Sequence, residues 1–224
     1  MPELYDYRAL RPANVTSPAY RHVLLLLYWP VYGLLFLAVE RLLAMDSYTP
    51  VHCALDDLIP FNEWFLLPYL FWFVYMAGAL VYTFFFDVPS FRRMMVFIMV
   101  TYSVTIAVYL LWPTCQQLRP DTFPRDNLLT RFLGWFYTFD TNTNVCPSIH
   151  VLGAVAVSVA AWDSPRFRTG PWRAAFSAMT ALICISTVFI KQHSVLDVLA
   201  ALPLSAAGWA AAWRASPVKQ AQDA

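Results

Sequence analysis

Apolar positions fill this chain in six long runs separated by short polar breaks, at residues 22–44, 64–86, 94–113, 147–163, 172–190 and 193–213. Runs of this length with so few charges do not suit a soluble fold. In lipid, every backbone N–H and C=O must be paired within its own segment, so the runs predict helices. The expected architecture is all-α: a polytopic membrane bundle of about six transmembrane helices over 22–213, with an N-terminal segment 1–21 and a polar tail 214–224. The run at 147–163 is the shortest. It reads as a short span or as one that begins beneath the interface. The first run lacks a small-residue cleavage pattern after it, so it reads as a first span that also directs insertion.

Composition agrees with this pattern. Of 224 residues, 59% are hydrophobic and 13% charged, against about a quarter charged in soluble domains. Nine Trp, twelve Tyr and seventeen Phe suit a protein with two membrane interfaces. A net charge of +1 argues against a nucleic-acid partner. Charge placement sets orientation. With the N-terminus inside, inner segments hold ten Lys and Arg (Arg8, Arg11, Arg21, Arg92, Arg93, Arg166, Arg168, Arg173, Arg214, Lys219). Outer segments hold five (Arg41, Arg119, Arg125, Arg131, Lys191). That bias puts both termini in the cytoplasm, with short basic hairpins 87–93 and 163–173 inside and longer connections 45–63 and 114–146 outside. A bacterial cell (inner) membrane is the expected location, with the site on the extracytoplasmic side.

Three polar clusters fall on that outer side: Arg119-Pro120, Cys146-Pro147-Ser148-Ile149-His150, and Lys191-Gln192-His193 through Asp197. His193 and Asp197 are four apart, which on a helix start places them on one face. A carboxylate accepting one ring proton leaves the other nitrogen free as a nucleophile. Pro147 suits a first helical turn, whose outward N–H groups bind phosphate. His150 in that turn is placed to protonate a leaving oxygen. Ser148, Arg119 and Lys191 complete the expected phosphate ligands. The implied chemistry is phosphoryl transfer through a phosphohistidine, with no cofactor and no metal.

Pro147-Ser148-Ile149-His150 resembles the PSGH motif of the type 2 phosphatidic acid phosphatase superfamily, with Ile in place of Gly. Ser186-Thr187, five residues, His193, three residues and Asp197 match the spacing of its third motif, with Thr187 at the Arg position. Arg119-Pro120 matches the end of the first motif, but Trp112 stands where Lys is expected. The run STVFIKQHSVLDVLA, and Ile59-Pro60-Phe61 with Glu63 and Pro68-Tyr69, resemble the inositol phosphorylceramide synthase-like branch. The resemblance implies a membrane lipid phosphatase or phosphotransferase. In it His193 is the nucleophile, His150 the acid and Asp197 the orienting group. The substrate would be phosphatidic acid, a prenyl (pyro)phosphate or a phospholipid whose headgroup is exchanged. Lys191, one helical turn beyond Thr187, is the expected substitute for the missing Arg.

Two other classes compete. The missing cations motivate a catalytically silent lipid-binding or scaffold protein derived from the enzyme. A small transporter would call for paired broken helices, and none is evident. Among the remaining residues, His52, Asp56, Asp57 and Glu63 read as a solvated acidic turn or as a headgroup subsite. Asp140, Asn142 and Asn144 read as a polar turn or the lining of an entrance. Cys115 and Cys146 bracket the long outer connection, and a disulfide there would tether Arg119 near His150.

Overall fold

The computed structural model describes residues 5–42 and 48–215. Residues 1–4 of the N-terminal segment, the end of the first apolar run, the start of the first outer connection and the tail 216–224 with Lys219 lie outside the described residues.

Eight α-helices are present among the described residues: α1 Tyr28–Leu37, α2 Ala54–Leu58, α3 Leu66–Phe86, α4 Val88–Leu111, α5 Leu128–Phe139, α6 Ile149–Asp163, α7 Gly170–Phe189 and α8 Val195–Ala215. Five apolar helical segments are long enough to cross a bilayer: Arg21–Arg41, Glu63–Phe86, Val88–Leu111, Gly170–Phe189 and Val195–Arg214. The first is composite, passing from a 3₁₀ stretch through α1 into a π-turn at Ala38–Leu42. The fourth expected span is α6. Its 15 residues reach only about 22 Å at 1.5 Å per residue, short of the roughly 30 Å hydrocarbon core.

Local sequence explains the breaks. Asp87 ends α3, donating its N–H to the Thr83 carbonyl, and caps α4 by accepting from Ser90 N–H, with Pro89 in the first turn. Thr169 and Pro171 open α7.

The short helix α6 sits in the middle. Lipid tails are as apolar as leucine, so helices in a membrane gain chiefly from close packing and interhelical hydrogen bonds. Six of the ten buried residues of α6 are small, Gly153, Ala154, Ala156, Ser158, Ala160 and Ala161, beside His150, Val151, Leu152 and Val157. Thr180 on α7 donates to the Ala154 carbonyl at 2.9 Å and its hydroxyl meets that of Ser158 at 2.7 Å. A Cβ at Gly153 would lie 2.7 Å from the Tyr102 hydroxyl and 2.8 Å from Trp72. Gly208 of α8 plays the same part against α4, where a Cβ would lie 2.5 Å from Thr101 Cγ2.

The outer connections are structured. β1 (Thr49–Pro50) and β2 (Thr114–Cys115) form a short parallel pair, and α5 lies within what the sequence presented as a loop. The acidic turn is not solvated throughout: Asp56 and Glu63 are each 1% exposed, while His52 and Asp57 form an exposed pair at 2.9 Å. Glu63 takes both prongs of Arg125 at 2.7 Å and Asn127 at 2.9 Å, which pins the connection ahead of α5 to the start of α3. All four cysteines are free thiols, so the tether between Cys115 and Cys146 is absent.

Candidate functional site

The α7–α8 turn does most of the positioning. Helix α7 ends in a hydrogen-bonded Schellman pattern: Lys191 N–H donates to the Val188 carbonyl and Gln192 N–H to that of Thr187. Lys191 occupies the left-handed position with φ 56°. The helical relation expected between Thr187 and Lys191 therefore does not hold, because α7 has already stopped. His193 likewise precedes α8, which starts at Val195. Its pairing with Asp197 comes from an N-terminal capping box. Ser194 Oγ accepts from Leu196 N–H at 3.1 Å, while Asp197 Oδ2 accepts from Ser194 N–H at 3.0 Å. The same Asp197 oxygen lies 3.1 Å from His193 Nδ1. The carboxylate is fully buried.

Helix α6 is anchored beside this turn. Ser148 N–H donates to the Asp197 carbonyl at 3.2 Å, Tyr109 to the Pro147 carbonyl at 2.8 Å, and Tyr102 to the Ile149 carbonyl at 3.2 Å. These bonds bring the two imidazoles together, with ring centres 5.8 Å apart. His150 is 7% exposed and packed between Tyr69 at 4.4 Å and Trp72 at 4.6 Å. Neither of its ring nitrogens has a partner among the described residues.

Both histidines line a cavity of about 30 Å³, together with Tyr69, Tyr109, Ile149, Gln192, Glu40, Asp140, Thr141, Thr143 and Asn144. A second cleft shares Phe36, Glu40, Asp140 and Thr141 with the first and continues along Gly33 and Leu37 of α1 to Phe139.

The expected phosphate ligands stand differently. Arg119 is held by four bonds: to Gln192 Oε1 from Nε and Nη2, to the Tyr137 carbonyl and to the Asp140 carbonyl. Its guanidinium stacks 4.3 Å over Tyr137, and burial lowers its proton affinity. Lys191 points away, its ammonium donating to the carbonyls of Asp56 at 2.8 Å and Ile59 at 2.6 Å. Burial lowers its pKa, opposed by Asp56 and Asp57. Ser148 is fully buried, its Oγ capping α6 through Val151 N–H. None of these three lines the cavity, and no Lys or Arg does.

Several lining groups carry no signal in the motif pattern. Tyr69 and Gln192 both donate to Asp140 Oδ2, at 2.6 and 2.7 Å. Glu40 accepts from Thr141 and from Asn144 Nδ2 at 2.7 Å. Outside the cavity lining, Asp56 accepts from Ser194 Oγ at 2.6 Å and Val195 N–H at 2.8 Å, fixing the start of α8. Glu40 closing an apolar run, and Asp140 ahead of the Pro147 motif, were the available clues.

Comparison with known proteins gives no match: no family model, no curated protein and no solved structure is similar to the chain. The geometry carries the functional reading.

Proposed function

We propose that this membrane protein transfers or hydrolyses lipid-linked phosphate through a phosphohistidine on His193. What carries the reading is the buried Asp197–His193 pair at 3.1 Å, with the unpartnered ring of His150 across the same cavity. With its Nδ1 proton donated to Asp197, His193 presents Nε2 as a lone-pair nucleophile. Nε2 attacks phosphorus, the P–O bond to the leaving group breaks, and protonated His150 supplies the proton to the departing oxygen. Water or an alcohol then breaks the P–N bond, returning its proton to His150.

The lining refines the substrate. Glu40 and Asp140 face the cavity and no Lys or Arg does. A phosphate monoester carries nearly two negative charges near neutrality, and such a wall disfavours it. A phosphodiester carries one. Neutral donors then supply the stabilisation, including the first-turn N–H groups of Ile149 and His150, since that of Val151 is taken by Ser148 Oγ. We therefore favour headgroup transfer on a phospholipid over hydrolysis of phosphatidic acid. Arg119 and Lys191 hold the walls and act on the phosphate only at a distance. The cleft along α1 gives acyl chains a lateral route from the bilayer. The charge bias of the chain supports the reading that this face lies outside the cell membrane, with six spans including the short α6 and both termini inside.

The test is turnover by purified protein of a short-chain phosphodiester and its monoester counterpart, each with hydroxyl acceptors. Wild type should turn over the diester faster, and His193→Ala should abolish turnover with the thermal transition unchanged. The same lack of lining cations favours the scaffold reading, and an inactive wild type on both substrates would select it.

A further inference from the structure

The opposite end of the bundle holds a second cavity. From His150 to Asp163 along α6 is about 20 Å at the helical rise, and beyond Asp163 the α6–α7 turn meets the α3–α4 turn. There Tyr5, Tyr82, Phe86, Asp87, Ser164 and Arg166 line a cleft of about 530 Å³. It shares Tyr82 with an apolar groove of about 270 Å³ that runs between α3, α6 and α7 past Phe71, Val74 and Gly78. Polar end and apolar groove together have the form of one amphiphile.

The polar end contains unused bonding capacity. Asp87 is 8% exposed, and while one carboxylate oxygen caps α4, Oδ2 has no partner among the described residues. The Ser164 hydroxyl, 1% exposed, is also without a partner among them. The nearby Arg93 meets Asp163 through Nη1 at 3.0 Å and lies 4.7 Å over Trp213, while its Nε has no partner among the described residues. A buried carboxylate oxygen without a donor is costly, and the rings of Tyr5, Tyr82 and Phe86 around it suit a cation. Arg166, exposed over Phe167 and Trp172, is placed to meet a phosphate.

We propose that this is a binding site for a phospholipid with a primary ammonium headgroup, separate from the histidine site. The ammonium donates to Asp87 Oδ2 and the Ser164 hydroxyl, the phosphate faces Arg166, and one acyl chain lies in the groove beside Gly78. A Cβ at Gly78 meets nothing within 4 Å, so the groove is open at its narrowest residue.

Native mass spectrometry of the full chain in mild detergent tests the site, using phosphatidylethanolamine, its N-methylated and N,N-dimethylated forms, phosphatidylcholine and phosphatidylglycerol of equal chain length. Retention should fall along the methylation series as N–H donors disappear, with phosphatidylcholine and phosphatidylglycerol held about tenfold less, the ratio for one charge-assisted hydrogen bond. Asp87→Asn, which keeps a capping oxygen, should erase the preference. Gly78→Leu should weaken retention of every lipid. His193→Ala should leave the pattern unchanged, which separates this site from the proposed catalytic one. Equal retention across the series, a preference that survives Asp87→Asn, or one lost in His193→Ala would overturn the proposal.

Discussion

The carboxylate of Asp197 serves a helix end and an imidazole with the same oxygen. It accepts from Ser194 N–H and His193 Nδ1, so the Asp197–His193 pairing inherits the rigidity of a cap. The motif spacing disclosed both partners but implied the wrong geometry, since a four-residue interval is shared by a helix face and by a turn leading into a capping box. Asp56 was hidden for a different reason. An Asp in an acidic polar stretch looks solvated, and only long-range folding brings it to Ser194 and Val195, beside its local bond from Cys53 N–H. Burial pushes its carboxyl up, but these hydrogen bonds outweigh that and hold it below its ordinary 3.8. A carboxyl depressed in the folded state contributes its full stability above the unfolded value. That contribution disappears as pH falls from about 3.8 through the folded value. Asp56→Asn should cost about 1.5–3 kcal/mol near neutrality, the range for a hydrogen bond to a charged group. It should also flatten the acid limb of thermal stability in detergent. An acid limb as steep as that of wild type would assign the loss to another carboxyl. At the same scale, His150→Ala should slow esters with poor leaving groups on the order of a hundredfold or more, and activated aryl esters much less. Equal slowing of both, read from initial rates, would remove the acid role.

At the scale of elements, the long spans were legible because length and apolarity are local properties. Helix α6 was only partly so: its small residues mark a helix meant for close neighbours, yet nothing local says that it ends about 8 Å short of a bilayer's thickness. Helix α5 and the β1–β2 pair escaped because their partners lie far along the chain. The α7–α8 turn offers the sharpest test here, because Lys191 combines two roles. Its backbone takes the left-handed conformation that ends α7, and its ammonium ties the turn to Asp56 and Ile59. Lys191→Gly relieves the backbone and removes the tie; Lys191→Met keeps the backbone cost and removes only the tie. If the ammonium is a brace, both variants should lose stability, with Met lower by about 1 kcal/mol because glycine adopts this conformation freely. Diester affinity should stay near wild type wherever the fold persists. A large rise in the Michaelis constant of folded Lys191→Met would return the ammonium to the phosphate, as the motif comparison had implied.

For the whole molecule, the proposed function requires a route by which a two-chain lipid reaches a cavity set below the start of the spans. Tyr69, which packs on His150, is six residues into the span that opens at Glu63, a depth of about 9 Å. Helix α5 and residues 140–145 lie over that depth, with Arg119 bridging Tyr137, Asp140 and Gln192. The cleft past Gly33, Phe36 and Leu37 opens beside α1, whose Leu34 and Leu37 are exposed to the surroundings of the bundle. A Cβ at Gly33 meets nothing within 4 Å, so a large side chain there can occupy the cleft without disturbing the packing of α1. Gly33→Trp should then cut turnover of a long-chain phospholipid in vesicles at least tenfold, with turnover of a soluble short-chain diester changed less than twofold. The two substrates share the chemistry at His193 and differ only in the route to it, so equal effects on both would show that the indole disturbs the site itself. No effect on either would close the lateral route and leave the passage beneath α5 as the path of the lipid.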